Sequence, residues 1–166
     1  MKLDYEKTQK TIDEVFLLQR MNQKSIGEFG NTMGSLVEHL LTPALPHKLK
    51  EFGFNFEKIQ PVKLRVDDKS IYAEIDAYLE NEKQVMAVEV KTTLRAKDVD
   101  YHLIRMEKLR IYADETGDTR EFFGAMAGAI VSEGVKKYAL SQGFFVIEPS
   151  GEDVIVTKPT VEPKKW

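Results

Sequence analysis

The sequence predicts a single mixed α/β domain, and three observations support this fold class. The chain has 166 residues, which suits one domain with its own core. Between residues 62 and 93, apolar residues alternate with polar ones, as they do in strands. Stretches with helical spacing lie before and after this region. Because strands and helices are interleaved along the chain, we expect a mixed sheet flanked by helices.

Composition and charge exclude several classes of protein. The chain contains no cysteine, which rules out disulfides, thiolate zinc sites and cysteine nucleophiles. Its formal net charge of −3 argues against binding polyanions through bulk positive charge, so any contact with nucleic acid must be local. No apolar run is long enough for a membrane span or a signal-peptide core. We therefore expect a cytoplasmic protein without a membrane partner.

Two helices are predicted before the first strand. Residues 1–26 form an N-terminal helix with an interrupted apolar stripe. It is either a coiled-coil partner that makes the protein a homo-oligomer, with a dimer as the first expectation, or a plain surface helix. The second helix covers roughly residues 28–41 and ends before Pro43. Glu38 shares a flank of this helix with two glycines, and it either faces a close-packed neighbour or is solvated.

The remaining elements alternate between strands and helices. Asp98 and Ser132 are predicted to cap helices, and Gly117 and Gly143 to end them. The tail, residues 159–166, contains two prolines and two lysines and is predicted to be flexible. The predicted bounds are 62–66, 70–79 and 84–93 for an antiparallel meander, 98–115 for a helix, 122–131 for a buried strand, 133–141 for a short helix, and 144–148 and 154–157 for a last strand pair.

The hairpin of the second and third strands brings two carboxylates and a lysine to one face. With a two-residue loop at Asn81-Glu82, Asp76 and Glu89 become diagonal neighbours, about 7 to 8 Å apart at the backbone. Lys91 points the same way. Carboxylates at this spacing suit Mg²⁺, but they suit a solvent-facing set of ion pairs equally well. The other face is apolar and is predicted to be the core side: Ile75, Ala77, Leu79, Met86, Val88 and Val90.

Asp76 is followed thirteen residues later by Glu89-Val90-Lys91. The predicted elements around this motif follow the order helix, strands, helix, strand, helix. This arrangement resembles the PD-(D/E)XK nuclease superfamily, whose core is αβββαβ and whose signature is an acid followed by acid-x-lysine. The resemblance spans residues 27–158, and the C-terminal half is similar to a prokaryotic branch with an N-terminal helical or coiled-coil segment. It implies a restriction-endonuclease-like fold. One departure is Ile75, where the signature has proline.

The resemblance implies a Mg²⁺- or Mn²⁺-dependent nuclease that hydrolyses DNA phosphodiester bonds. Asp76, Glu89 and the carbonyl of Val90 would hold the ion. Lys91 would be the catalytic lysine, and Glu38 would assist from the preceding helix. Because the superfamily includes members that have lost cleavage, the alternative is a catalytically silent interaction or oligomerisation module. RNA and branched DNA remain alternative substrates.

Residues 91–110 are the best candidate for contact with phosphates. They contain six basic and three acidic residues, a local excess of three positive charges. The notable alternative is a solvated face whose charges are balanced by neighbouring acids. His102 follows the motif in the first turn of the next helix, where it either contacts substrate or lies on the helix surface, and the surface position is the expectation. No stacking platform for bases is recognisable. The candidate nucleic-acid contacts are Arg95, Lys97, Arg105 and Lys108.

Overall fold

The computed structural model describes residues 44–66 and 71–166, together with the single position Val15. The predicted helices over residues 1–26 and 28–41, including Glu38, lie outside the described residues, as does the turn after residue 66. The described elements are α1 (Ala44–Leu49), a 3-10 turn (Lys50–Phe52), β1 (Lys58–Val66), β2 (Ile71–Glu80), β3 (Gln84–Leu94), α2 (Ala96–Thr116), β4 (Glu121–Val131), α3 (Glu133–Ser141), β5 (Phe145–Ser150) and β6 (Asp153–Thr157).

The strands form one mixed sheet in which the spatial order follows the chain order, β1 to β6. The pairs β1–β2 and β2–β3 are antiparallel, β3–β4 and β4–β5 are parallel, and β5–β6 is antiparallel. The helices α2 and α3 make the two parallel connections, as parallel neighbours require. The predicted mixed α/β class is therefore confirmed. In the part of the chain described, no helix is both long and apolar enough to cross a membrane.

Helix ends follow the capping residues that the sequence contains. The Ser132 hydroxyl accepts a hydrogen bond from the Val135 amide (3.4 Å) and begins α3, as predicted. Helix α2 begins two residues earlier than expected, at Ala96. The Asp98 carboxylate lies inside the first turn and accepts from the Arg95 amide (2.9 Å). Asp98 thus caps the helix from within.

Both faces of the sheet are buried, whereas the prediction assigned the core side of the β2–β3 hairpin to one face. Helix α1 and the Phe52–Phe56 segment cover one face, where Ala77, Leu79 and Val88 pack. Helices α2 and α3 cover the other face, where Tyr78 and Ala87 pack. The reason is the parallel pairing of β3, β4 and β5, because helical crossovers bury the sheet face on which the predicted carboxylates lie.

The tail was predicted to be flexible, but it packs against the body. The Trp166 ring is 9% exposed and stacks on Phe144, with ring centroids 5.2 Å apart. The Trp166 amide donates to the carbonyl of Phe122 (3.0 Å), and the Lys164 amide donates to that of Gly143 (3.3 Å). A buried aromatic ring with backbone hydrogen bonds outweighs the local preference of prolines and lysines for a loose chain.

Candidate functional site

The β2–β3 hairpin has a longer loop than the predicted two residues. Glu80 pairs with Val85, so the register is shifted by two residues from the expected one. The Asn81 side chain causes this, because its Oδ1 accepts hydrogen bonds from the amides of Lys83 (2.8 Å) and Gln84 (2.7 Å) and closes a wider turn. An even shift preserves which residues share a face. Glu89 and Lys91 therefore keep the common face that the sequence predicted.

A bulge in β2 then changes the orientation of the residues at Asp76. Gln60 pairs with Tyr78, and the next pair is Val62 with Ile75. Between these pairs β1 advances by two residues and β2 by three, so β2 contains one extra residue. Pro61 lies opposite the extra residue, and proline has no amide hydrogen with which to continue a ladder. Ile75 consequently packs with Tyr78 under α2, whereas the prediction placed it with Ala77 on the other face.

The described β2–β3 ladder ends at Ala77–Val88, one residue before Asp76 and Glu89. Beyond the end of the ladder, a side-chain contact joins the two strands: Asp76 Oδ2 accepts a hydrogen bond from the Val90 amide (2.8 Å). The Asp76 side chain is exposed, so the rest of its carboxylate remains accessible to solvent. Bulges often re-aim a side chain in this way beside functional sites. Asp76 is thus fixed against the backbone of the strand that carries Glu89 and Lys91.

Glu89 is a buried carboxylate held by two cations. Its side chain is 7% exposed, with Oε2 2.7 Å from Arg105 Nη1 and Oε1 3.3 Å from Lys91 Nζ. Burial raises the pKa of Glu89, the nearby Asp76 charge raises it further, and the two cations only partly offset these effects. Asp76 therefore contributes to the electrostatic environment of Glu89.

His102 is fully buried, which corrects the expectation of a surface histidine. Its Nε2 is 3.0 Å from the carbonyl oxygen of Ala87, and its Nδ1 is 3.2 Å from Arg105 Nη1. A carbonyl only accepts and a guanidinium only donates, so the proton must be on Nε2. Burial, more than any other factor, lowers the pKa of His102 from 6.5 to about 3. The imidazole is therefore neutral and orients Arg105 towards Glu89.

A pocket of about 310 Å³ opens above this cluster, between β2, β3 and the first half of α2. Asp76 lies beside the pocket and is not part of its lining. Of the four predicted phosphate contacts, two line the pocket; Arg95 and Lys97 are exposed but do not. Besides Ala73, the lining consists of three acids, three basic residues, a tyrosine and an isoleucine: Glu74, Glu89, Asp98, Lys91, Arg105, Lys108, Tyr101 and Ile104.

A larger cavity of about 440 Å³ lies elsewhere, at the beginnings of β3 and β4. The apolar part of its lining includes Phe52 and Phe54, and its rim carries Lys165 bound to Glu121 at 2.8 Å. These rim charges are exposed and neutralise each other. The smaller pocket is the better candidate because it contains a buried charged cluster, whereas the larger one has only surface pairs.

The donor atoms beside the pocket are those that a hard divalent ion prefers. Asp76 and Glu89 supply carboxylate oxygens, and Mg²⁺ commonly takes one or two of these and completes its shell with water and substrate oxygens. Within residues 44–66 and 71–166, no group of three or more aspartate, glutamate or histidine side chains is placed to hold a metal. Asp76 and Glu89 are two carboxylate donors, and their oxygens already contact Lys91, Arg105 and the Val90 amide. Glu38 lies outside the described residues.

One residue of this site, His102, is predicted in the wrong environment, and another, Tyr101, is not predicted at all. His102 lies on the same helical stripe as the buried residues Val99, Met106 and Leu109, and that spacing could have placed it in the core. Tyr101 precedes it on the exposed side of α2 and carried no distinguishing pattern.

No family model, no curated protein and no solved structure matches this chain.

Proposed function

We propose that this protein is a Mg²⁺- or Mn²⁺-dependent nuclease that hydrolyses phosphodiester bonds in DNA, on a restriction-endonuclease-like core. The main support is the convergence of Asp76, Glu89 and Lys91 where β2 and β3 stop pairing, beside an open pocket. Burying a charged acid costs stability, so a buried glutamate beside a second carboxylate is more typical of a functional site than of a structural one.

Each residue has a role that follows from its contacts. Asp76 and Glu89, with the Val90 carbonyl, would hold the ion, which when bound would acidify a water and polarise a phosphoryl oxygen. Lys91 Nζ is close enough to Glu89 to lie at the same ion and offset negative charge that builds on the phosphoryl group. Arg105, fixed by His102, holds Glu89 in position and favours its charged form. Glu38 would assist from the preceding helix.

Cleavage in Mn²⁺ tests this proposal. Purified protein is incubated with plasmid and linear DNA, and the wild type is compared with Lys91→Ala. We expect Lys91→Ala to lower the rate by about a hundredfold or more, the usual loss when a group that stabilises transition-state charge is removed. Lys137→Ala, at an exposed position on α3, is the matched control and should cleave like the wild type. Equal cleavage by Lys91→Ala would remove this lysine from the mechanism.

One observation favours a second function, a catalytically silent interaction module that oligomerises through residues 1–26. Both oxygens of Glu89 already have cationic partners, so the cluster is charge-balanced without a metal ion. Mn²⁺ titration followed by electron paramagnetic resonance distinguishes the two functions. A nuclease should bind the ion and lose it on Asp76→Asn. The module should bind none, and its mass in solution should fall from that of a dimer when residues 1–26 are removed.

A further inference from the structure

Large apolar side chains are exposed along one side of α2, beside the candidate site. Tyr101 is 62% exposed, Ile104 54% and Ile111 47%. Tyr101 and Ile104 are one helical turn apart and both line the pocket that contains Glu89. Ile111 lies further along the helix and is not in the lining. An exposed tyrosine and isoleucine at the rim of a charged pocket indicate a ligand with a flat apolar face.

The charges of the pocket indicate that this ligand is also anionic. Three acids line the pocket, and each has a partner. Glu89 is paired with Arg105 and Lys91, and Asp98 accepts a hydrogen bond from the Arg95 amide. Glu74, whose side chain is 52% exposed, lies 3.5 Å from Lys63. Lys91 is still 44% exposed. Lys108 is exposed and has no ion pair with the part of the chain that the structure describes. Each acid of the lining thus has a partner within the chain, whereas Lys108 is left to pair with an anionic ligand.

We propose that Tyr101 and Ile104 form a platform for an unpaired nucleobase, so that the substrate has a single-stranded nucleotide at the site. This inference rests on the proposed function. Inside a duplex the faces of the bases are stacked and inaccessible to a side chain at the edge of a groove. An unpaired base offers its face to the ring, and its phosphates can contact Lys108 and Lys91. The pocket volume, about 310 Å³, is at the lower end for small-ligand sites and suits one nucleotide.

Binding without cleavage tests the platform. Fluorescence anisotropy measures the affinity of the full chain for a labelled single-stranded oligonucleotide and for the duplex of the same sequence, in EDTA. We expect the single strand to bind more tightly. Tyr101→Ala should weaken single-strand binding by about tenfold, the loss expected for one base stack, and should leave duplex binding nearly unchanged. Tyr101→Phe, which retains the ring, should bind like the wild type.

Ile111→Ala is the control for a general loss of apolar surface on α2, and it should bind the single strand like the wild type. Light scattering of wild type and Tyr101→Ala shows whether the same surface joins two copies of the chain. A lower mass for Tyr101→Ala would assign the surface to self-association and overturn the inference. Equal affinity of wild type and Tyr101→Ala for the single strand would also overturn it.

These outcomes separate the platform from the nuclease. A wild type that cleaves DNA in Mn²⁺ but binds single strand and duplex alike contradicts the platform and leaves the proposed function intact. A wild type that binds single strands through Tyr101, yet neither binds Mn²⁺ nor cleaves, supports the platform and contradicts the nuclease. A wild type that binds no nucleic acid in EDTA contradicts the platform, and the Mn²⁺ cleavage assay then decides the nuclease.

Discussion

Glu89 has two cationic partners, yet burial and the neighbouring Asp76 still raise its pKa. The folded protein therefore disfavours the charged carboxylate relative to water, and the charge lowers stability at neutral pH. A residue that is kept at such a cost is expected to serve the site rather than the fold. A substitution of Glu89 that removes its charge can therefore measure how much this charge lowers the free energy of unfolding.

Glu89→Gln should raise the free energy of unfolding at pH 7, because the raised pKa of Glu89 means that the folded protein disfavours the charge that this substitution removes. It should also abolish Mn²⁺ binding. Urea unfolding measures the first effect, with Glu82→Gln in the exposed turn as a control that changes little. A large loss of stability in Glu89→Gln would show that the carboxylate holds the fold together, contrary to this interpretation.

His102 should make stability depend on pH in the acid range. Its pKa is about 3 in the folded protein, against 6.5 for an exposed imidazole, so below pH 6.5 only the unfolded chain takes up the proton. The contribution of the neutral His102 to the free energy of unfolding is fully present above pH 6.5. It is lost as the pH falls towards 3, by up to about 1.4 kcal/mol per pH unit. Between pH 7 and pH 5, wild type should lose about 2 kcal/mol more than His102→Gln.

Urea titrations of the two proteins at both pH values measure this difference. Glu89 contributes in the opposite direction, because an acid with a raised pKa gains stability as pH falls, but it does so in both proteins. His47→Gln, at an exposed position in α1, should not change the difference. Equal losses in wild type and His102→Gln would mean that the imidazole ionises normally when folded.

At the scale of elements, β4 depends on glycine at a position where the sheet meets the tail. A Cβ added at Gly124 would collide with the ring of Phe144, which in turn stacks on Trp166. A Cβ at Gly134, in the first turn of α3, would meet nothing within 4 Å. Substitution by alanine should therefore change the free energy of unfolding in opposite directions at the two glycines.

Gly124→Ala should lower the free energy of unfolding by about 1 to 3 kcal/mol, the usual cost of overpacking. Gly134→Ala should raise it by about 0.5 to 1 kcal/mol, because alanine loses less backbone entropy in a helix. Chemical denaturation of both variants is the measurement. A stabilised Gly124→Ala would indicate that the Phe144 ring moves aside easily.

At the scale of the whole molecule, the tail connects α2, β4 and the start of β5. Arg110 in α2 donates hydrogen bonds to the carbonyls of Asp118 (2.9 Å) and Trp166 (3.3 Å), and its guanidinium lies 5.1 Å from the centre of the Phe122 ring. Trp166 packs on Phe144, which itself contacts His102. The packed tail thus supports the core beneath the candidate site.

Trp166→Ala should lower the free energy of unfolding by about 3 kcal/mol, in the range for a buried aromatic residue. Val161→Ala, an exposed position of the same tail, should change it little. Trp166 is the only tryptophan, so its fluorescence reports on the tail alone. We expect its emission to shift in the same denaturant range as the circular dichroism; an earlier shift would mean that the tail detaches first.

The sequence by itself determined the order of the elements from β1 to β6 and most of their limits, whereas helix α1 was not predicted. Alternating and helical periodicities are local properties, and so are caps such as Ser132 and helix-ending residues such as Gly117. The common face of Glu89 and Lys91 also follows from the sequence, because side chains alternate along any strand whatever its partner. These features depend on neighbours a few residues away.

Only the tertiary structure decided how the site is assembled. The bulge opposite Pro61 turned Ile75 over and aimed Asp76 at the Val90 amide, and helix packing placed His102 and Arg105 beneath Glu89. The docking of Trp166 likewise depends on a ring more than twenty positions away in the chain. Such contacts join residues far apart in sequence, and their free energy depends on burial and partner geometry, which no local pattern encodes.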